Sequence, residues 1–228
     1  MRISFRRRMR RFAGALLALS FIVALDAQGT WTWNQLCSNN EWNAYCTGSI
    51  CGTNPDRYWY YNNWGQSYCG SASGLGFPGP GSTVIFPATA NALLASNVDI
   101  KTITLNQGGQ LSFTSGVLRL RDPANNNALG VFTNAGLFRL PSTNSPRSWS
   151  GAIVNTGTLR HEGSGLAWEG VSLQNSGTLE LLTGDWGVHS GTNTIQNTSA
   201  GKLLKLTSGD FVIGIPVQNA GLLDHREG

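Results

Sequence analysis

The chain has 228 residues, a formal charge of +4, 40% hydrophobic and only 12% charged residues, enough for one domain or a small unit beside a larger body. The basic excess gives no reason to expect nucleic-acid binding. Six of the sixteen basic residues (Arg2, Arg6, Arg7, Arg8, Arg10, Arg11) sit in the first eleven positions, and a chain starting at Gln28 keeps ten basic and eleven acidic residues, a net charge of −1.

Residues 12–25 carry no charge and are mostly Ala, Leu, Ile, Val and Phe. A basic stretch followed by such a run is a secretory signal peptide, expected over residues 1–27 with cleavage after Ala27. Its apolar run of 14 residues is shorter than the roughly 20 a membrane-spanning helix needs, and no transmembrane segment is expected in the mature chain. Arg10-Arg11-Phe12 has the wrong spacing for a twin-arginine signal, so the general secretory route is expected.

Residues 28–74 read as a small cap. They hold all four cysteines, Cys37, Cys46, Cys51 and Cys69, every tyrosine, and five of the eight tryptophans. Export brings thiols to an oxidising compartment, so two disulfides are expected; Cys37 with Cys46 and Cys51 with Cys69 is the most local of three pairings. A metal site is not expected, because the segment has no histidine and lacks paired C-x2-C knuckles. The rings of Trp59, Tyr60, Tyr61 and Trp64 beside Asn62 and Asn63 could stack on sugars as a ligand-binding platform, although filling the core of a small cap is the stronger reading.

Residues 75–228 change character. The turn-rich run Gly74 to Gly81 leads into strand-like Ser82 to Phe86, and then one element recurs: Asn134-Ala135-Gly136-Leu137-Phe138, Asn155-Thr156-Gly157-Thr158-Leu159, Asn175-Ser176-Gly177-Thr178-Leu179 and Asn219-Ala220-Gly221-Leu222-Leu223, with a two-residue insertion in the element starting at Asn197. Separations of 20–22 residues mark an internal repeat too short to bury its own apolar face. Stacking would place Phe138, Leu159, Leu179, Leu203 and Leu223 in one interior row. The Asn-x-Gly step suits a left-handed turn, and successive Asn amides can bond along the stack. Trp149, Trp168, Trp186 and Phe211 then mark a second strand per coil at about one level. Residues 98–113 look like an earlier coil, and Arg121 to Asn127 like an inserted loop. The fold expected is all-β, a right-handed parallel β-helix of 20–22-residue coils behind a disulfide-bonded aromatic cap; a β-sandwich is the rival.

The Trp-rich early segment, the run Phe77-Pro78-Gly79-Pro80-Gly81-Ser82-Thr83-Val84-Ile85-Phe86 and the repeated Asn-x-Gly-Thr-Leu resemble exported bacterial β-helix proteins of the autotransporter-passenger and filamentous-adhesin kind, over roughly residues 75–223. The resemblance implies an adhesin or surface structure, although polysaccharide lyases and hydrolases also use the fold. The sequence departs from that pattern in carrying no C-terminal β-barrel and stopping just after its last turn, so a truncated product or the front of a longer protein is expected.

Glycosidic chemistry needs two placed carboxylates or an acid with a base. Glu162, Glu169, Glu180, Asp185 and Asp210 are spread thinly. Glu169 and His189 both fall fourteen residues after a repeat Asn and form the best acid/base pair the sequence offers, although an exposed Glu-His neighbour pair on a solvated face is the stronger reading. His161 occupies a phase held by Leu140 and Leu181, shared by His225, and reads as a coil-edge histidine. Arg139, Arg160 and Glu180 form an outward charge row. No cofactor, metal site, nucleophile elbow or phosphate loop is expected. The function expected is secreted or cell-surface display on a bacterium, non-enzymatic, adhesive, structural or in contact with polysaccharide or host glycan. The alternative is a carbohydrate-active lyase or glycosidase with Trp168 and Trp186 as sugar subsites.

Overall fold

The computed structural model describes residues 30–32, 80–94, 97–142, 147–163, 166–208 and 210–226. They build a parallel β-solenoid of about six turns. Short strands with strict inside-outside alternation have one apolar face each and cannot bury it alone, so each is laid in parallel register on its equivalent in the next coil.

Each coil has three sides where the sequence led us to expect two strands. The first side stacks Thr83–Phe86, Thr102–Leu105, Val131–Asn134, residues 152–155, residues 172–175, Thr194–Asn197 and Val217–Asn219. The second stacks Asn91–Leu94, Gln110–Phe113, Leu137–Leu140, Thr158–His161, Thr178–Leu181, Lys202–Lys205 and Leu222–His225. The third is less regular: Val98–Ile100, Gly116–Asp122, residues 147–150, residues 166–169 and Trp186–Ser190. Arg147–Asn155 and Leu166–Asn175 run unbroken around the corner from third to first side, and their mutual register slips between Trp149 and Gly151. The bend uses Gly151 at φ 114° and Gly170 at φ 70°, backbone that side chains rarely adopt.

The interior is a set of columns. Phe138, Leu159, Leu179, Leu203 and Leu223 pair in one row as expected. The first four are buried; Leu223, in the last coil, is 64% exposed. Trp149 and Trp168 are in register, whereas Trp186 sits opposite Leu166, two residues out of phase. The rings still meet: Phe138 lies 5.9 Å from Trp149, Trp149 lies edge-on 5.0 Å from Trp168, and Trp168 lies 5.0 Å from Trp186. All three indoles are buried, and their Nε1–H groups have no acceptor among the described residues. Edge-to-face packing at Trp149 and Trp168 suits such groups, because the ring edge is the positive end of the quadrupole.

The asparagine ladder is the main polar feature of this core. Asn134, Asn155, Asn175 and Asn197 are fully buried, and each Nδ2 donates to the Oδ1 of the next rung, ending at Asn219, at 2.6 Å every time. Each also donates to a second-side carbonyl one coil on: Thr158, Thr178, Lys202 and Leu222 at 3.0–3.3 Å. The same column holds Phe86 and Leu105 in the earlier coils, so the Oδ1 of Asn134 faces Leu105 and has no partner.

Two expectations need correction. The glycines of the Asn-x-Gly steps do not adopt left-handed backbone; Gly136, Gly157, Gly177, Gly201 and Gly221 are absent from the positive-φ residues. They are glycines because coils approach too closely for a side chain. A Cβ on Gly157 would lie 2.3 Å from the carbonyl oxygen of Gly136, and one on Gly177 would lie 2.1 Å from that of Gly157. A disulfide-bonded cap preceding the coils is also not what the chain builds. Thr30–Thr32, upstream of all four cysteines, is a strand in parallel register with Thr83–Ile85 on the first side. The solenoid's first strand therefore comes before the cysteine-bearing stretch, and residues 33–79 lie outside the described residues. Arg121 to Leu129 is the excursion foreseen: Arg121 and Asp122 pair antiparallel with Leu129 and Ala128 across a 3-10 turn at Pro123–Asn125.

Candidate functional site

Most described carboxylates are already engaged. Arg139 donates from Nε and Nη2 to both oxygens of Glu162 at 2.7 Å, which holds the Glu162 carboxyl below its ordinary range against the opposing pull of burial. Arg160 donates to Glu180 at 2.5 Å, and Arg121 forks onto Asp99. Lys101 bonds Asp122 at 2.8 Å and lowers its pKa; Arg226 bonds Asp224 at 2.7 Å. Asp185 accepts from the backbone N–H of Val212. The outward row foreseen at Arg139, Arg160 and Glu180 is therefore a chain of ion pairs along the second side.

Glu169 and His189 do not share a register position. Glu169 pairs with Ser190, and His189 falls at the irregularity between the Trp168–Val188 and Glu169–Ser190 pairs. His161 is fully buried, its ring edge-on to Trp186 at 5.8 Å and to Phe211 at 5.4 Å, in the column of Leu140, Leu181, Lys205 and His225. Trp168 and Trp186 are likewise 0% exposed, so neither is a sugar subsite on a surface groove. Among the described residues no cluster of His, Cys, Asp and Glu could hold a metal ion. Cys37, Cys46, Cys51, Cys69, Trp59, Tyr60, Tyr61 and Trp64 lie outside the described residues.

Two buried cations serve the corners. Arg147, 2% exposed, donates to the carbonyls of Phe113, Pro141 and Gly163 at 2.9–3.0 Å. Burial pulls its pKa down to about 10, so it stays protonated at neutral pH. Lys205 bonds the carbonyls of Leu182 and Thr207 and the Thr207 hydroxyl. Each ties together carbonyls that a wide turn leaves without strand partners, a structural task that uses the charge completely.

What remains open to solvent in an ordered array is the outward face of the first side. Its eight strands, Thr30–Thr32 included, contain no charged residue. The second side carries Arg139, Arg160, Glu180, Lys202 and Asp224 outward, and the third carries Asp99, Arg119, Arg121 and Glu169. Alternation on the first side puts Val84, Ile103, Phe132, Ile153, Leu173 and Ile195 inside, which leaves two outward columns. One runs Thr83, Thr102, Val131, Ala152, Ser172, Thr194; the other Ile85, Thr104, Thr133, Val154, Gln174, Gln196, Gln218. At the C-terminal end this face meets a cleft of about 390 Å³ lined by Gln196, Thr198, Ser199, Gln218 and Asn219. We did not single out this face in the sequence, although period-two alternation without charge in every first-side strand was there to be read.

No family model, curated protein or solved structure matches the chain.

Proposed function

We propose that this protein is an exported bacterial β-solenoid, secreted or displayed at the cell surface, with an adhesive or structural role in contact with glycan, of the same general kind as autotransporter passengers and filamentous adhesins. The observation that carries this reading is the division of labour among its side chains. Most of the described carboxylates are held in ion pairs or by backbone N–H, the large described aromatics of the coils are interior, and a regular stacked platform is left facing solvent. A rigid surface is what a binding protein needs; acid/base hydrolysis needs two carboxyls free to exchange protons at a set separation.

The basic, then apolar, N-terminal segment supports export. The test joins localisation with product analysis. Expressed with its own N-terminus in a bacterial host, the protein is expected in the periplasm or medium with a mature N-terminus at about Gln28. Polysaccharides incubated with it are expected to show no new reducing ends and no unsaturated sugars. An uncleaved cytoplasmic chain refutes export, and released oligosaccharides refute the non-catalytic reading.

A further inference from the structure

We infer that the outward face of the first side is a binding surface for an uncharged, hydroxyl-bearing polymer, a neutral polysaccharide lying along the solenoid axis. This rests on the adhesive reading and names its ligand class and its place on the molecule.

Charge selects the ligand. Charged outward residues crowd the other two sides and are absent from all eight strands of this one. An acidic polymer would find no cation on it. Lys101, next to Thr102 at the corner, is held by Asp122, and Arg139 and Arg160 on the second side are held by Glu162 and Glu180. A neutral polymer pays no charge-desolvation penalty on such a face, and its hydroxyls can bond Thr, Ser and Gln side chains while its C–H faces meet the methyls of Ile85, Val131, Ala152 and Val154.

Spacing selects the pose. Parallel in-register stacking repeats each column at about 4.8 Å, so seven strands present a strip about 29 Å long. One extended pyranose residue is close in length to that rise, which lets successive sugars meet equivalent side chains in successive coils. The strip changes along its length from Ile85, Thr104, Thr133 and Val154 to Gln174, Gln196 and Gln218, and the three glutamines are exposed. It ends in the amide- and hydroxyl-lined cleft at Gln196 and Gln218, which has the size of a small-ligand site and can seat the polymer's end or a branch.

A second copy packed face to face is a poorer fit. Only four of the thirteen outward residues named above are aliphatic, and the glutamine half would be buried without defined partners.

The experiment is depletion binding of the full mature chain to microcrystalline cellulose and galactomannan, beside polygalacturonate and chondroitin sulfate, at about 0.05 and 0.5 M NaCl. The probe variant is Thr133→Lys/Gln174→Lys/Gln196→Lys, and the control is Thr158→Lys/Thr178→Lys on the outward second side, each checked by circular dichroism and thermal melting. The pair Gln196→Arg/Gln218→Arg, at exposed positions, supplies the same readout if the triple variant does not fold. Expected is binding to a neutral polymer that changes less than about twofold with salt, because no ion pair is formed. It falls at least tenfold in the face variant and holds within twofold in the control.

Binding unchanged in the face variants overturns the assignment. If Trp59→Ala/Trp64→Ala removes that binding instead, the adhesive reading survives and only its location fails. Preference for the acidic polymers, or no binding to either neutral polymer, also overturns it. So does a dimer that the face variants dissociate, or ice-recrystallisation inhibition abolished by them, which would assign the face to a second copy or to a water lattice.

Discussion

Replacing one rung of the asparagine ladder by leucine should cost very different amounts at two adjacent rungs. Leucine fits the column sterically, since Leu105 occupies it, fully buried, one coil before Asn134. In Asn155→Leu the Oδ1 of Asn175 loses its donor at 2.6 Å, the Nδ2 of Asn134 loses one of two acceptors, and the Thr178 carbonyl loses a side-chain donor. One buried acceptor is newly orphaned, at about 1–3 kcal/mol, and lost hydrogen bonds bring the total to about 3 kcal/mol. In Asn134→Leu the Oδ1 of Asn155 is orphaned, but the already unpartnered Oδ1 of Asn134 disappears. The count of orphans is unchanged, so only the bonds to Asn155 and the Thr158 carbonyl are lost, and the expected cost is about 1 kcal/mol. For a chain of this size the two variants should differ by roughly 5 °C in Tm, measured by circular dichroism beside urea midpoints. Equal losses, or a larger loss at Asn134, would refute the idea that orphan counting governs this core.

Gly157→Ala should cost more than about 3 kcal/mol, because its Cβ meets the Gly136 carbonyl at 2.3 Å and only backbone can yield; Gly187→Ala, with no atom within 4 Å, should stay within about 1 kcal/mol of wild type in the same urea titration. Arg147→Met strands three corner carbonyls and should lose about 2–4 kcal/mol, with Arg147→Lys in between, by equilibrium unfolding. The Glu162 carboxyl has a folded pKa below its ordinary value of 4.5. Its stabilising contribution is therefore full above that value and is lost as pH falls through the folded pKa. Urea midpoints of Glu162→Gln should accordingly fall less than those of wild type between about pH 5 and pH 3; parallel curves would count against the Arg139 pairing.

The repeat was legible because an amide ladder demands Asn at one phase and an apolar residue a fixed step on; Phe138, Leu159 and Leu179 stand four positions after their Asn, and Leu203 six, after the two-residue insertion. The third side was not, since Trp186 is two residues out of phase with Trp168 and Gly116–Asp122 runs on into a hairpin. Thr30–Thr32 is three residues long and 53 positions from its partner, too little chain to carry a period. The role of the repeat glycines was misread because left-handed turns and close backbone contact leave the same residue in a sequence; only the distance from Gly157 to Gly136 separates them. Only the alternative, enzymatic reading placed Trp168 and Trp186 in a sugar-binding groove, because tryptophan favours both cores and sugar platforms, and alternation on a bent strand was needed to decide.

The ladder also bears on how such a chain can change length over generations. Every junction between rungs is the same bond, 2.6 Å from Nδ2 to Oδ1, whether 20, 21 or 22 residues separate the two asparagines. An in-frame duplication or deletion that begins and ends at equivalent rungs, such as residues 156–175, therefore joins an amide to an amide and a leucine to a leucine, with no mismatch at the seam. Gene segments of this size can be gained or lost by recombination as whole coils, and the reach of the solenoid can drift while its cross-section stays the same.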